Sequence, residues 1–196
     1  MDSQKNSTKR LIVSNFKGLM QEYSFDKISI TMIVERANIR RPTFYHYFQD
    51  KYDLLEWILQ DEVISKVNIL LDQDMTDEAI KMLFACIGAD ADFYRKAFEE
   101  KGQNGFNSAF IRQGHATFLR VFERRQLKNI PVPEVLTKDN LAMYYTIGLV
   151  TSIEAWLKIP HERNVSVEKL VEAYRFLTSH TIHQLLGEGS SEKTEP

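Results

Sequence analysis

Cysteine, proline and glycine are scarce in this chain, and each shortage excludes a class of protein. The single cysteine, Cys86, cannot form an intramolecular disulfide, which excludes a disulfide-stabilised scaffold and fits a reducing cytoplasm. Only 5 prolines and 8 glycines occur among the 196 residues. Because both residue types interrupt helices, their scarcity favours an all-α fold.

Long apolar runs are also missing. No segment approaches the roughly 18 consecutive apolar residues that indicate a membrane-spanning helix. The first residues are polar and lack the apolar core of a signal peptide. We therefore expect a cytoplasmic protein that has no membrane partner.

Positive charge is concentrated at the N-terminal end of the chain. The net charge is -2, yet residues 1–51 hold nine Lys or Arg and five Asp or Glu, a local charge of +4. The remaining residues hold 16 basic and 22 acidic side chains, a charge of -6. Contacts with nucleic-acid phosphates need local rather than net positive charge, so the first fifty residues are the candidate nucleic-acid-binding segment.

Residues 29–51 have the pattern of two short helices joined by a tight turn. Ser29 is a candidate N-cap for the first helix, whose apolar residues recur at helical spacing. Asn38 follows that helix, and asparagine tolerates the left-handed conformation that a sharp turn requires. Ile39 can then fill the angle between the two helices.

The second of these helices combines an apolar anchor with polar and aromatic side chains. Pro42 suits its first turn, and Phe44 and Phe48 are spaced to form one apolar stripe. The other positions carry hydrogen-bond donors and flat rings, namely Arg41, Thr43, Tyr45, His46 and Tyr47. This is the layout of a helix-turn-helix whose second helix enters the major groove of DNA.

The stretch resembles the DNA-binding domain of the tetracycline-repressor (TetR) family of bacterial transcription regulators. It matches the signature of that family at Ile33, Ala37, Thr43, Tyr45, Phe48, Lys51 and Leu54, with Ser29 in place of the usual threonine. It departs from the signature at Asn38, where glycine is usual, and at Arg40, where a small capping residue is usual. Residues 39–49 look like those of the regulators of dihydroxyacetone-kinase operons.

The resemblance implies an organisation for the whole chain. Residues 1–50 would form a three-helix DNA-binding domain, and residues 51–186 would form a helical domain for effector binding and dimerisation. The polar residues 187–196 are expected to be a disordered tail. The implied function is that of a homodimeric repressor or activator that binds a palindromic operator in double-stranded DNA. A small-molecule or protein effector would control it, and no cofactor is expected.

Positions in the motif suggest roles for individual residues. Arg41, Thr43 and His46 are expected to reach base edges or nearby phosphates. Tyr45, Tyr47 and Lys51 are expected to contact the DNA backbone and set the register. Thr31 resembles a phosphate-contact position of the family, and Arg40 suits either role.

Apolar periodicity predicts the other helices. The first runs from a cap at Ser7 or Thr8 to about Tyr23, and the fourth extends from about Asp50 to Gln73. Thr76 is the candidate cap of the fifth helix, and a further helix covers about 106–125. The last two span 138–158 and 166–186, and the resemblance implies that they pair with their copies in a dimer.

Aromatic residues are abundant in the middle helices, where most of them are expected to be core. In TetR-family proteins this region encloses an effector cavity. By resemblance, the candidate lining residues are Phe84, Phe98, Phe110, Phe118, Tyr145 and Trp156.

Catalytic and metal-binding patterns are absent. The sequence has no glycine-rich phosphate loop and no His-Glu-x-x-His helix, and Cys86 lies in an apolar stretch typical of a core, so an enzyme is not expected. His180 and His183 are three residues apart on the last helix. A metal site needs three or four ligands, so no metal site is expected.

Two alternative classes stay open at this point. One is a helical interaction protein that keeps the motif but no longer binds an operator. The other is a small-molecule-binding or catalytic helical protein, whose ligand binding would not depend on Tyr45 or Lys51. The basic N-terminal segment favours DNA binding over both.

Overall fold

The computed structural model describes residues 2–100, 102, 105–125, 132–159 and 165–187, and this part of the chain is helical with no strand. The all-α prediction is thereby confirmed. The helices are α1 (Asp2–Glu22), α2 (Ile30–Arg36), α3 (Arg41–Tyr47), α4 (Lys51–Leu59), α5 (Ser65–Asp72), α6 (Thr76–Gly88), α7 (Ala91–Phe98), α8 (Phe106–Arg124), α9 (Lys138–Leu157), α10 (Val167–Ser179) and α11 (Ile182–Leu185). The predicted tail, apart from Gly187, lies outside the described residues.

Helices α1, α2 and α3 enclose a small apolar core at the N-terminal end. Phe16 of α1 and Ile33 of α2 are fully buried, and so is Phe44 of α3. Helix α1 begins at Asp2, so the predicted start at Ser7 or Thr8 was wrong. The first residues contain no proline or glycine, and nothing in them prevents the helix from extending toward the N-terminus.

The turn between α2 and α3 is built on a left-handed residue, as predicted. Asn38 has a φ of 50°. The backbone N–H of Asn38 donates to the carbonyl of Glu35 at 3.1 Å, and that of Ile39 donates to the carbonyl of Val34 at 3.0 Å. These two bonds form a Schellman motif, which satisfies the carbonyls at the end of α2 and brings Ile39 back onto the core.

Substitutions at Asn38 test the importance of this turn. Asn38→Val is expected to lower the free energy of unfolding by about 1–2 kcal/mol, because a left-handed conformation forces a Cβ-branched side chain against the backbone. Asn38→Gly is the matched control, and we expect it to change the free energy of unfolding by less than about 0.5 kcal/mol. Glycine removes the backbone strain of the left-handed conformation, and this gain offsets the greater freedom of the unfolded chain. Denaturant unfolding measures the stability of both variants. Equal losses of stability would contradict the importance of the left-handed conformation at Asn38.

Helices α4 and α5 form one continuous helical segment that contains a π-helical turn at Gln60–Ile64. The overall span agrees with the predicted fourth helix, but the π turn was not predicted. The hydroxyl of Ser65 donates to the carbonyl of Gln60 at 2.7 Å, and the backbone N–H of Ser65 donates to the same carbonyl. The wider turn changes the register between α4 and α5, and π turns occur frequently at functional sites.

Helices α8 and α9 pack closely in the C-terminal part of the chain. A Cβ atom on Gly114 of α8 would lie 3.0 Å from the methyl group of Thr146 of α9, so glycine permits this close approach. Thr146 is fully buried, and its hydroxyl donates to the carbonyl of Ala142 at 2.7 Å. The predicted bounds of α8 and α9 agree with the structure to within one residue.

Two further predictions about helix ends were wrong. Met75, not Thr76, occupies the N-cap position of α6, and no side chain caps that helix. The predicted last helix is broken, because His180 has extended backbone angles between α10 and α11. Thr181 and Gln184 form a capping box that starts α11, with a bond of 2.8 Å from the Thr181 N–H to the Gln184 side chain. The Thr-x-x-Gln spacing could have revealed this break in the sequence.

Candidate DNA-binding interface

Helix α3 is held by two buried rings and presents a polar side to solvent. Phe44 is fully buried and Phe48 is 2% exposed, with the Phe48 ring 5.9 Å from that of Trp57 in α4. The predicted DNA-contact residues on the outer side are exposed, namely Arg41, Tyr45 and His46. Thr43 and Tyr47 are half-buried at its edges. The anchor therefore fixes a helix whose polar side is free to enter a groove.

The exposed side chains of α3 also contact one another. The Arg41 guanidinium donates to the Tyr45 hydroxyl at 3.1 Å and lies 5.6 Å from the centre of the Tyr45 ring. The rings of His46 and Tyr47 meet edge to face at 4.8 Å. Arg40, at the N-cap position, makes no side-chain cap to the helix. Thr31 is exposed on the first turn of α2.

Positive charge is available at the start of α3. Arg40 and Arg41 are exposed, and no carboxylate among the described residues lies within ion-pair distance of either. Elsewhere in this part of the chain, Arg36 pairs with Glu22 at 2.7 Å. The unpaired guanidinium groups therefore lie at the end of the helix that the motif would insert between DNA phosphates.

Lys51 has a role that the sequence analysis did not predict. Its ammonium donates to the carbonyls of Phe25 at 2.8 Å, Ile28 at 3.0 Å and Asp26 at 3.3 Å. It also lies 4.4 Å from the centre of the Phe25 ring. Burial lowers its pKa, although nearby carboxylates act in the opposite direction. All three donors are used within the chain, and no local pattern could have revealed partners that lie 23 or more residues away.

Lys51→Met is expected to destabilise the helix-turn-helix. The variant keeps the apolar stem but removes three hydrogen bonds to the turn before α2, and a charged hydrogen bond contributes about 1.5–3 kcal/mol. The three bonds share one ammonium whose burial is itself unfavourable, so their contributions do not simply add, and we expect a loss of at least about 2 kcal/mol in the free energy of unfolding. Lys27→Met removes the same charge from an exposed position in that turn and is the control. Equal stability of the two variants would contradict the structural role of Lys51.

Comparison with known proteins decides the family. A family model described as the transcriptional regulator C-terminal region matches residues 74–175, more than half of the chain. The model for bacterial regulatory proteins of the tetR family matches residues 17–58, which include the helix-turn-helix. The chain belongs to the TetR family. It is therefore a DNA-binding transcription regulator, and the expectation that it is not an enzyme agrees with the non-enzymatic regulators of that family.

The regulator has relatives that control dihydroxyacetone-kinase operons. It is 34% identical over 91 residues to the HTH-type dhaKLM operon transcriptional activator DhaS of Lactococcus lactis. The match covers 46% of this chain and 49% of that protein, so it spans about half the length of this curated relative. A solved dihydroxyacetone kinase operon activator DhaS is 26% identical, with a TM-score of 0.59 over 87% of this chain and 93% of the other. The predicted narrower resemblance is confirmed.

A more distant structure agrees in fold. A TetR transcriptional regulator from Streptococcus agalactiae is 20% identical, with a TM-score of 0.63. The likeness covers 90% of this chain and 96% of that chain. At this identity it supports the fold alone.

The six candidate effector-pocket residues form three separate pairs in the regulator. The ring centres are 6.0 Å apart for Phe84 and Trp156, 5.9 Å for Phe98 and Phe110, and 6.1 Å for Phe118 and Tyr145. Among the described residues, no ring contact joins one pair to another. Phe84, Phe98 and Phe110 are buried in the core. That the six side chains line one effector site stays a prediction.

Two of the grooves on the described surface bear on the position of an effector site. One, of about 830 Å³, lies between α1, the α4–α5 segment and α6, and none of the six candidate residues lines it. The other, of about 720 Å³, lies between α9 and the α10–α11 break, and Tyr145 is its only lining residue among the six. An effector site in the first groove would use none of the six selected residues, and one in the second groove would combine Tyr145 with residues that the sequence analysis did not select.

The described residues hold neither a metal-binding cluster nor a membrane-spanning helix. They contain no group of three or more His, Cys, Asp or Glu side chains placed to hold a metal ion. The ring of His180 stacks on that of Phe176 at 4.2 Å. None of the described helices has the length and apolar character needed to cross a membrane.

Proposed function

We propose that this regulator is a homodimer that binds a palindromic operator with the α3 helices of its two subunits. The observation that carries the proposal is the free surface of α3, where Arg40 and Arg41 have no carboxylate partner among the described residues and two buried rings fix the helix. Residues 1–50 act as the DNA-binding domain and residues 51–186 as the effector-binding and dimerisation domain. A regulator of this kind acts in the cytoplasm, where bacterial DNA is located.

The dimer is supported by an apolar face on the last three helices. Large side chains on this face are 47–72% exposed, which is unusual for a monomer. They are Tyr144, Ile147, Phe176, Leu177, Ile182, Leu185 and Leu186. Several of them line the groove of about 720 Å³, and no neighbouring side chain or element lies within 4 Å of the place that a Cβ on Gly148 would occupy. A second copy would bury this face by two-fold symmetry.

The two α3 helices would then enter successive major grooves. A symmetric dimer places recognition helices about 34–36 Å apart, which is one turn of DNA. Arg41, Thr43 and His46 are the base-edge contacts of the proposal, while Thr31, Arg40, Tyr45 and Tyr47 contact the backbone. Lys51 is reassigned, because its three donors stabilise the turn before α2.

We assign effector binding to the helical second domain. The relative from Lactococcus lactis is named as an activator of the dhaKLM operon, and we extend to this chain the control of an operon of that class. The effector is a small molecule or a protein that binds one of two dimer states more tightly. Such coupling is typically about 1–3 kcal/mol.

The salt dependence of binding to duplex DNA tests the proposal. Each phosphate that a cationic side chain neutralises contributes about -0.9 to the slope of log K against log salt. We expect a steep slope for the regulator and a slope shallower by about 1 for Arg40→Gln, which removes one proposed phosphate contact. Lys81→Gln, an exposed charge on α6, is the control and should leave the slope unchanged. A folded protein with no salt-dependent affinity would support the alternative of a helical interaction protein.

A further inference from the structure

One lysine joins the DNA-binding domain to two separate elements of the second domain. The ammonium of Lys17 in α1 lies 2.6 Å from the carboxylate of Glu62 in the π turn. It also lies 2.9 Å from the carboxylate of Asp90, in the turn between α6 and α7. The three side chains are only 18–33% exposed, so water and salt screen these ion pairs less than pairs on the open surface.

Further contacts surround the ion pairs of Lys17 with Glu62 and Asp90, which together we call the junction. The Lys17 ammonium lies 4.8 Å from the centre of the Phe93 ring, and the Tyr94 hydroxyl donates to Glu62 at 3.4 Å. From the opposite direction, Lys96 of α7 donates to the carbonyl of Gln21 near the end of α1 at 2.7 Å. Polar contacts thus connect the two domains in both directions.

Apolar packing holds α1 against α7, where the ring centres of Phe16 and Phe93 are 6.3 Å apart, but the other side of Lys17 opens on a groove. Lys17, Glu62 and Asp90 all line the groove of about 830 Å³ between α1, the α4–α5 segment and α6. An open groove leaves space into which α1 can rotate, and a rotation would lengthen both ion pairs. The π turn places Glu62 on this side by changing the helical register.

We propose that Lys17 is a positioning residue for operator binding. It does not touch DNA, but its ion pairs with Glu62 and Asp90 fix the angle of the DNA-binding domain and therefore the separation of the two α3 helices. This inference rests on the proposed function, because it requires a dimer that binds two half-sites. Its specific consequence is that Lys17 controls which half-site spacing the dimer accepts.

Operators with altered spacers test the inference with the full chain. From the operator that the unmodified protein selects, duplexes are made with the half-sites one base pair closer or one further apart. Lys17→Met is expected to reduce discrimination between the best spacer and its neighbours by roughly 5-fold or more, the lower end of ordinary coupling between sites. The double variant Glu62→Gln with Asp90→Asn removes the same ion pairs from the acidic side and should reduce spacer discrimination equally. It replaces Lys17→Met in the test if that variant folds poorly.

Arg36→Met is the matched control. It removes the 2.7 Å ion pair with Glu22, which lies within the DNA-binding domain and does not cross the junction. Its spacer discrimination should equal that of the unmodified protein. An equal loss of affinity for every spacer length in the Lys17 and Glu62–Asp90 variants, with discrimination intact, would show a merely stabilising role and overturn the inference.

A distance measurement provides a second test without DNA. One spin label at the exposed position 49, introduced by Gln49→Cys in a Cys86→Ser background, gives a single label-to-label distance in the dimer. We expect a narrow distribution that broadens in the Lys17→Met and Glu62–Asp90 variants and stays narrow with Arg36→Met. An unchanged distribution in a confirmed dimer would overturn the role of Lys17 alone. A monomeric protein would overturn the proposed function and this inference with it.

Discussion

Leu177→Asp is expected to give a folded monomer that no longer binds the operator. Leu177 is 60% exposed in the single chain, so a carboxylate there should cost little in folding. In the proposed dimer it would face the apolar surface of the second copy. An uncompensated buried charge costs about 3–5 kcal/mol, which raises the dimer dissociation constant more than about 100-fold.

Sedimentation measures whether the Leu177→Asp variant is a monomer, and a titration with the operator measures its loss of DNA binding. Ile69→Asp is the matched control, because Ile69 is 58% exposed but lies on α5, away from the proposed interface. It should leave the dimer intact. If Leu177→Asp stayed dimeric at the same protein concentrations, the interface would have to lie elsewhere on the chain.

Arg41→Ala is expected to relax the sequence preference of the regulator. The guanidinium is exposed, has no carboxylate partner among the described residues and is oriented by the Tyr45 hydroxyl at 3.1 Å. A guanidinium that donates two bonds to one guanine contributes roughly 1–3 kcal/mol of discrimination. The variant should therefore lose roughly 5- to 150-fold in affinity for the operator and much less for random DNA.

Arg40→Ala serves as the comparison for Arg41→Ala. Arg40 lies before the first turn of α3 and is proposed to contact a phosphate, so its loss should weaken binding to all sequences alike. Competition titrations with operator and random duplexes separate the two roles. An equal loss on operator and random DNA with Arg41→Ala would show that Arg41 does not contact a base edge.

The helix-turn-helix could be predicted from the sequence because its determinants are local. The turn depends on Asn38, whose left-handed angle is a property of one residue type, and the anchor of α3 depends on Phe44 and Phe48, four positions apart. Ser29 was likewise predicted as a cap, and its hydroxyl accepts the backbone N–H of Met32 at 3.2 Å. Each of these features depends on residues only a few positions apart, so the local sequence is enough to predict it.

The junction and the role of Lys51 could not be predicted in this way. Lys17 pairs with Glu62 and Asp90, which are 45 and 73 residues away in the sequence. Lys51 donates to backbone carbonyls, which every residue type has, so the identity of the partner residues does not indicate the contact. The π turn has no recognised residue pattern, and it decides which side of the helix Glu62 occupies. Such contacts follow from tertiary packing, which periodicity does not report.

The aromatic residues show a different limit. Their number predicted an apolar interior, and Phe84, Phe98 and Phe110 are indeed buried. Their division into three pairs depends on how α6 to α9 cross, and composition carries no such information. The break at His180 is different again, because Thr181 and Gln184 did carry a local signal that the long apolar periodicity obscured.

Selection from a pool of random duplexes, repeated at two salt concentrations, tests the central claim most directly. The account predicts enrichment of a palindrome whose half-sites are about one helical turn apart, with binding that weakens steeply as salt increases. Enrichment of a single half-site would contradict the symmetric dimer. Absence of enrichment by a folded, dimeric protein that is saturated with its effector would contradict operator recognition by α3.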